Sequence, residues 1–73
     1  MGYILTEYMV CNNGKKKPAF YFGGWHKKYA DMIYIATKDT AYVFEDEDLE
    51  KARETVAALK MGGYNFQIKN NGK

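Results

Sequence analysis

The stretch Asp46-Glu-Asp-Leu-Glu-Lys-Ala-Arg-Glu-Thr-Val-Ala-Ala-Leu-Lys-Met-Gly-Gly-Tyr-Asn-Phe-Gln-Ile-Lys69 decides the fold. Leu49, Ala52, Val56 and Leu59 recur at spacings of three, four and three, which is one face of a 3.6-residue period and predicts a helix over residues 48–61. Asp46 or Asp48 stands where a helix cap belongs, and acids there suit the positive end of the helix dipole. Lys60 falls in the last turn, and Gly62-Gly63 can supply the left-handed residue that ends a helix. Beyond the glycines the period changes from 3.6 to 2. Tyr64, Phe66 and Ile68 alternate with Asn65, Gln67 and Lys69, the mark of a half-buried strand. Residues 70–73 read as a frayed tail.

Working back towards the N-terminus, Tyr3 to Val10 is β-branched and aromatic with Glu7 as its only charge, a first strand in which neither face is purely polar. Asn12-Asn13-Gly14 offers the positive-φ positions of a tight hairpin. Pro18 suits the first residue of a returning strand, since it has no N–H for the ladder. That strand continues through Ala19 to Phe22, and Gly23-Gly24 before Trp25 predicts a bulge. Residues 26–31 form a connection. Met32 to Ala36 is a third apolar run and Thr40 to Phe44 a fourth, or the two are one long bent strand. The order is β-β-β-(β)-α-β, which implies a small α+β fold with a mostly antiparallel sheet and one helix packed on one face. Leu49, Val56 and Leu59 are few bulky residues, so Phe20, Phe22, Phe44 and Phe66 are expected to meet them from the sheet. One helix cannot cover four or five strands, and the other face is left open.

With 73 residues the chain is expected to be a single domain over 1–73. A domain of this size buries only roughly 60% of the surface its unfolded chain exposes. One cysteine, Cys11, permits no internal disulfide and no Cys/His zinc cluster. Seven Tyr, four Phe and one Trp compensate with large area per side chain. No apolar run reaches the roughly 18–20 residues of a membrane span, and no signal peptide is evident. The expectation is a cytoplasmic protein without a membrane or a cofactor.

The net charge of +2 conceals an asymmetry. Residues 11–30 carry Lys15, Lys16, Lys17, Lys27 and Lys28 and no acid. Residues 39–54 carry Asp39, Glu45, Asp46, Glu47, Asp48, Glu50 and Glu54 against Lys51 and Arg53. Separated charge of this kind steers encounters.

The sequence argues against an enzyme. There is no serine, and Cys11 and His26 fall at opposite ends of the expected hairpin, where a nucleophile and its base cannot meet. The acids at 46–50 are explained by capping and the helix dipole. Asp46-x-Asp48 lacks the glycine and bidentate Glu of a calcium loop. The paired glycines match neither a P-loop nor a dinucleotide fingerprint.

Two binding chemistries remain. Tyr and Trp are favoured at interface centres, and six tyrosines (Tyr3, Tyr8, Tyr21, Tyr29, Tyr34, Tyr42) cannot all be interior in so small a domain. The expected contact surface is the hairpin and the segment after it: Lys15, Lys16 and Lys17, then Tyr21, then Trp25, His26, Lys27, Lys28 and Tyr29. A second candidate surface is the acidic run Glu45, Asp46, Glu47, Asp48 and Glu50, which could meet a basic groove on an enzyme. The same features suit a homodimer. The alternative partner is single-stranded nucleic acid, because lysines and aromatics are mixed along the sheet. The single arginine, Arg53, lies among acids, and the acidic lobe would repel a long phosphate backbone.

Asp39-Thr-Ala-Tyr-Val-Phe-Glu-Asp-Glu-Asp-Leu-Glu-Lys-Ala-Arg-Glu-Thr-Val-Ala-Ala-Leu59, followed by Gly62-Gly63-Tyr64 and a last strand, resembles small uncharacterised phage-encoded accessory proteins of the host-takeover or anti-defence type. In these, a strand ending in Phe leads through acids into an Ala-rich helix. The resemblance covers residues 39–69. It implies a protein that binds and inhibits a bacterial host or defence protein, for example a nuclease effector, in the cytoplasm of an infected or lysogenic cell.

Overall fold

The computed structural model describes residues 2–71. Strands β1 (Tyr3–Val10), β2 (Lys16–Trp25), β3 (Ile33–Ala36) and β4 (Gln67–Asn70) form one sheet in the order β3-β2-β1-β4. Every pairing is antiparallel. Helix α1 (Leu49–Met61) joins the β3 side of the sheet to β4 and packs on β1 and β4. The fold is a small α+β layer pair.

The hairpin between β1 and β2 closes through Cys11 and Lys15. The Cys11 N–H donates to the Lys15 carbonyl (2.7 Å) and the Gly14 N–H to the Cys11 carbonyl (2.9 Å). Of the three loop residues only Gly14 has positive φ, at 81°, so Asn12 and Asn13 do not take the left-handed positions expected of them. This is a three-residue loop ending in a left-handed glycine, and the Asn13 side chain braces it by accepting from the Lys15 N–H (3.0 Å).

Pro18 is the third residue of β2, not its first. It lies opposite Tyr8, where the register shifts between Glu7 and Tyr8. A bulge is the other place a strand tolerates a residue without an N–H. The glycine pair produces the second irregularity, between Phe22 and Trp25. Gly24 has φ +111°, which side chains with a Cβ rarely adopt. An added Cβ there would sit 3.5 Å from the Tyr42 ring, an ordinary contact, so Gly24→Ala tests the backbone alone. We expect it to lower stability by about 1–3 kcal/mol, read as a reduced urea midpoint with an unchanged slope.

The ladder between β1 and β2 begins only at the Thr6–Tyr21 pair. Upstream of it, Tyr3 pairs with Phe44 instead: the Tyr3 N–H donates to the Phe44 carbonyl (2.7 Å) and the Phe44 N–H to the Tyr3 carbonyl (2.8 Å). The Tyr42 N–H donates to the Phe22 carbonyl (2.9 Å). The apolar run 40–44 is therefore not a fourth strand in sequence but a clasp of single contacts onto β1 and β2, preceded by a 3₁₀ turn at Lys38–Thr40. Nor do the runs 32–36 and 40–44 form one bent strand.

The helix begins one residue later than expected, after a 3₁₀ turn at Asp46–Asp48. Asp48 takes the cap position without a side-chain capping bond. At the other end, the Tyr64 N–H donates to the Leu59 carbonyl (2.9 Å) and the Gly63 N–H to the Lys60 carbonyl (3.1 Å). Gly63 is at φ 96°. That pair of bonds is a Schellman ending, and Tyr64 packs against the core cluster to which Leu59 belongs.

The core lies between α1 and one face of the sheet. It consists of Leu5, Phe22, Phe44, Ala52, Leu59 and Phe66, with Phe20, Ile33, Val56 and Ile68 partly buried against it. Phe22 is 1% exposed and its ring lies within about 6 Å of the rings of Trp25, Tyr42, Phe44 and Phe66. The end of the described chain is fastened rather than frayed. Asn70 pairs with Tyr3, and the Asn71 N–H donates to the Gly2 carbonyl (2.8 Å). The rest of the expected tail, residues 72 and 73, lies outside the described residues.

Candidate partner-binding surfaces

The residues expected to form one contact surface are placed at two ends of the molecule. Lys15, Lys16 and Lys17 are exposed at the hairpin end. Trp25, His26, Lys27, Lys28 and Tyr29 follow the far end of β2. The ten residues of that strand, at about 3.3 Å each, hold the two groups roughly 30 Å apart. Tyr21 lies midway between them and is half-buried. The structure therefore keeps Trp25 to Tyr29 together and separates them from the lysine triplet.

Around Trp25 an apolar surface is exposed. Trp25 is 44% exposed, Ile35 54% and Tyr42 49%, and all three belong to the same corner. Trp25 and Tyr42 flank the buried Phe22 ring, edge-on at 5.7 and 6.0 Å. Ile35 is the direct cross-strand neighbour of Phe22. Tyr29, Met32, Tyr34 and Val43 are exposed as well, so that apart from Met9, Val10 and Met61 every large exposed apolar side chain of the described residues falls between positions 25 and 43. The cause is geometric. The helix crosses β1 and β4, so on its face of the sheet the β3 side, with Trp25 and Ile35, lies beyond its cover, whereas Tyr34 alternates with Ile33 and Ile35 and is exposed on the opposite face.

The loop that carries Tyr29 is ordered by His26. Its Nδ1 accepts from the N–H groups of Lys28 (3.3 Å) and Tyr29 (3.4 Å). The imidazole stacks on Tyr34 at 4.9 Å and tilts against Tyr29 at 5.4 Å. His26 thus acts as a local brace between loop and strand. Lys28 lies 5.6 Å from the Tyr29 ring centre, and with Lys27 it puts positive charge in the exposed loop that follows Trp25.

β3 forms one edge of the sheet, and its residues, Ile33-Tyr-Ile-Ala36, include no charge. The opposite edge, β4, carries Lys69. Natural sheets use charged residues on edges to discourage strand addition, and here only one edge is protected in that way.

On the other face of the sheet, Ile4, Thr6, Tyr8, Pro18, Tyr21, Lys38, Lys69 and Asn70 line a shallow groove of about 180 Å³. The acidic run Glu45 to Glu50 belongs to the helix layer. Its Glu50 is paired with Arg53 at 2.8 Å, both well exposed, and a pair so placed adds little stability.

The sequence reading does not place Met32, Ile35 or Val43 on the surface, and Tyr42 enters it only as one of six tyrosines that cannot all be interior. Their runs carry the composition of buried strands, and only one of the two runs joins the sheet. The groove depends on β4 lying beside β1, which local sequence does not reveal.

The fold and these surfaces define a small α+β protein with a one-sided helix layer and an exposed aromatic corner. No family model, curated protein or solved structure matches the chain.

Proposed function

We propose that the chain is a non-enzymatic binding protein that inhibits a bacterial host or defence protein by stoichiometric contact, in the manner of small phage accessory proteins. The observation that carries the reading is the apolar corner of Trp25, Ile35 and Tyr42. A monomer gains nothing by leaving Trp, Ile and Tyr side chains together in water, and contiguous patches of this kind mark interaction sites. Aromatic anchors with a polar rim are the usual make-up of an interface centre, and Lys27 and Lys28 lie in the exposed loop that follows Trp25. The host-directed part of the reading draws on the resemblance of residues 39–69 to phage-encoded proteins.

The experiment is a pull-down with tagged protein from nuclease-treated bacterial lysate, at moderate salt, with wild type and Trp25→Ala in parallel. One protein retained in stoichiometric amount by the wild type is the expected result. Against that purified partner, Trp25→Ala should weaken binding by about 30-fold or more, the loss typical of a central anchor. Lys27→Ala should cost much less, because rim charges act mainly on the association rate. Thermal melts of both variants separate lost contact from lost folding. Recovery of many proteins that vanish on nuclease treatment, or of the chain alone, would overturn the proposal.

A further inference from the structure

We infer that the groove on the helix-free face of the sheet is a binding site for single-stranded nucleic acid, separate from the aromatic corner. Tyr8 and Tyr21 stand on the two central strands: Tyr8 is two residues from Thr6, the partner of Tyr21, and Tyr21 is three from Pro18, the partner of Tyr8, the extra residue belonging to the bulge. Between and beside them the groove is lined by Thr6, Asn70 and two cations, Lys38 from the 3₁₀ turn and Lys69 from β4. Lys69 is already held against an aromatic face, 5.4 Å from the Tyr8 ring centre. Lys16, paired with Val10, continues the same face towards the hairpin. Rings for stacking with cations to follow the backbone are what sheet surfaces use for single strands.

Two observations favour nucleic acid over an acidic peptide. Ile4 is 3% exposed, so apart from Pro18 and the two tyrosine rings the lining is polar and offers flat stacking surfaces rather than a pocket for an aliphatic side chain. No carboxylate lines the groove. Asp39 adjoins the lining residue Lys38 in the 3₁₀ turn; most of the other acids are elsewhere. Glu7 accepts from the Asn65 N–H (3.2 Å), and Glu45 to Glu50 sit in the helix layer, behind the sheet. The repulsion suggested by composition is therefore mostly directed away from this face.

The test is fluorescence anisotropy with a labelled oligothymidylate of about twelve nucleotides, long enough for one sheet surface. Neutralising three phosphates with Lys16, Lys38 and Lys69 gives a salt slope of about −2, a roughly 20-fold loss of affinity from 50 to 200 mM salt. Lys69→Gln should reduce that slope by about 0.7, and Tyr21→Leu should weaken binding about tenfold through lost stacking. Trp25→Ala and Lys60→Gln, away from the groove, should leave the affinity unchanged. Three results would overturn the inference. They are no binding at 50 mM salt, equal losses from Lys69→Gln and Lys60→Gln, and equal competition by an oligoglutamate of the same charge. Because Trp25→Ala spares this site and disables the other, the two proposals fail independently.

Discussion

Phe22→Ala is expected to leave the chain largely unfolded at room temperature. The ring is 1% exposed and sits among those of Trp25, Tyr42, Phe44 and Phe66. Truncating a buried Phe to Ala typically costs about 3–5 kcal/mol, part of it lost transfer and part the cavity left behind. A domain of this size seldom holds more than about 3–5 kcal/mol in total. The two quantities are equal, so there is no reserve to absorb the change. Phe22 also touches both the covered and the uncovered halves of its face: Phe44 and Phe66 belong to the core, Trp25 and Tyr42 to the exposed corner. The collapse that would partly refill a cavity must then pull exposed side chains inward. Circular dichroism in the far and near ultraviolet checks the outcome. A cooperative melt retained within a few degrees of wild type would show that Phe22 is not the hub of the core.

The second large effect concerns the helix. Ala52 is fully buried, whereas Ala58, on the same helix, is exposed. Ala52→Asp is expected to abolish folding, because it places a carboxylate inside the wholly apolar cluster that holds Leu5, Leu59 and Phe66. Ala58→Asp carries the same loss of helix propensity, well under 1 kcal/mol, and adds only a solvated charge. The pair therefore isolates burial from propensity. Chemical denaturation of both variants reads the difference directly. Equal stabilities would mean that α1 presents a different face to the sheet.

Much of this architecture is legible in local sequence. The helix is written in the recurrence of Leu49, Ala52, Val56 and Leu59, and its ending in two glycines, of which Gly63 takes the left-handed conformation. β1 has the limits its composition predicts. The bulge at Gly23-Gly24 is likewise where residues without side chains require it. What sequence hides is pairing between distant segments. Thr40 to Phe44 has strand composition, yet β1 already has β4 on one side and meets β2 on the other from Thr6 onward, leaving only Tyr3 for Phe44. Asn70 and Asn71 look like a polar tail, yet Asn70 pairs with Tyr3 in the sheet and the Asn71 N–H bonds the Gly2 carbonyl just beyond it.

The candidate sites divide in the same way. Lys17 and Trp25 are close in sequence and so read as one surface, but an extended strand converts eight positions into roughly 25 Å. Tyr8 and Lys69 are far apart in sequence and adjacent in space, since only the β1–β4 ladder joins them. Sequence therefore names the residue types of both surfaces and misassigns their neighbours.

The strand order has a further consequence, in the time domain of synthesis. β1 is central in the sheet, yet the strand on its outer flank comes last of the four in chain order and is made after the other three. β1, β2 and β3 emerge first as a meander. Its layer partners, Ala52, Leu59 and Phe66, follow from position 52 onward. At about 5–20 residues per second, the thirty positions between the end of β3 and Phe66 take roughly 2–6 s to translate. Until then Leu5 and Phe22 lack the part of their cover that α1 and Phe66 supply, and β1 offers an unpaired edge. A nascent chain in this state is open to chaperones and to other copies of itself, and it closes only when its final strand arrives.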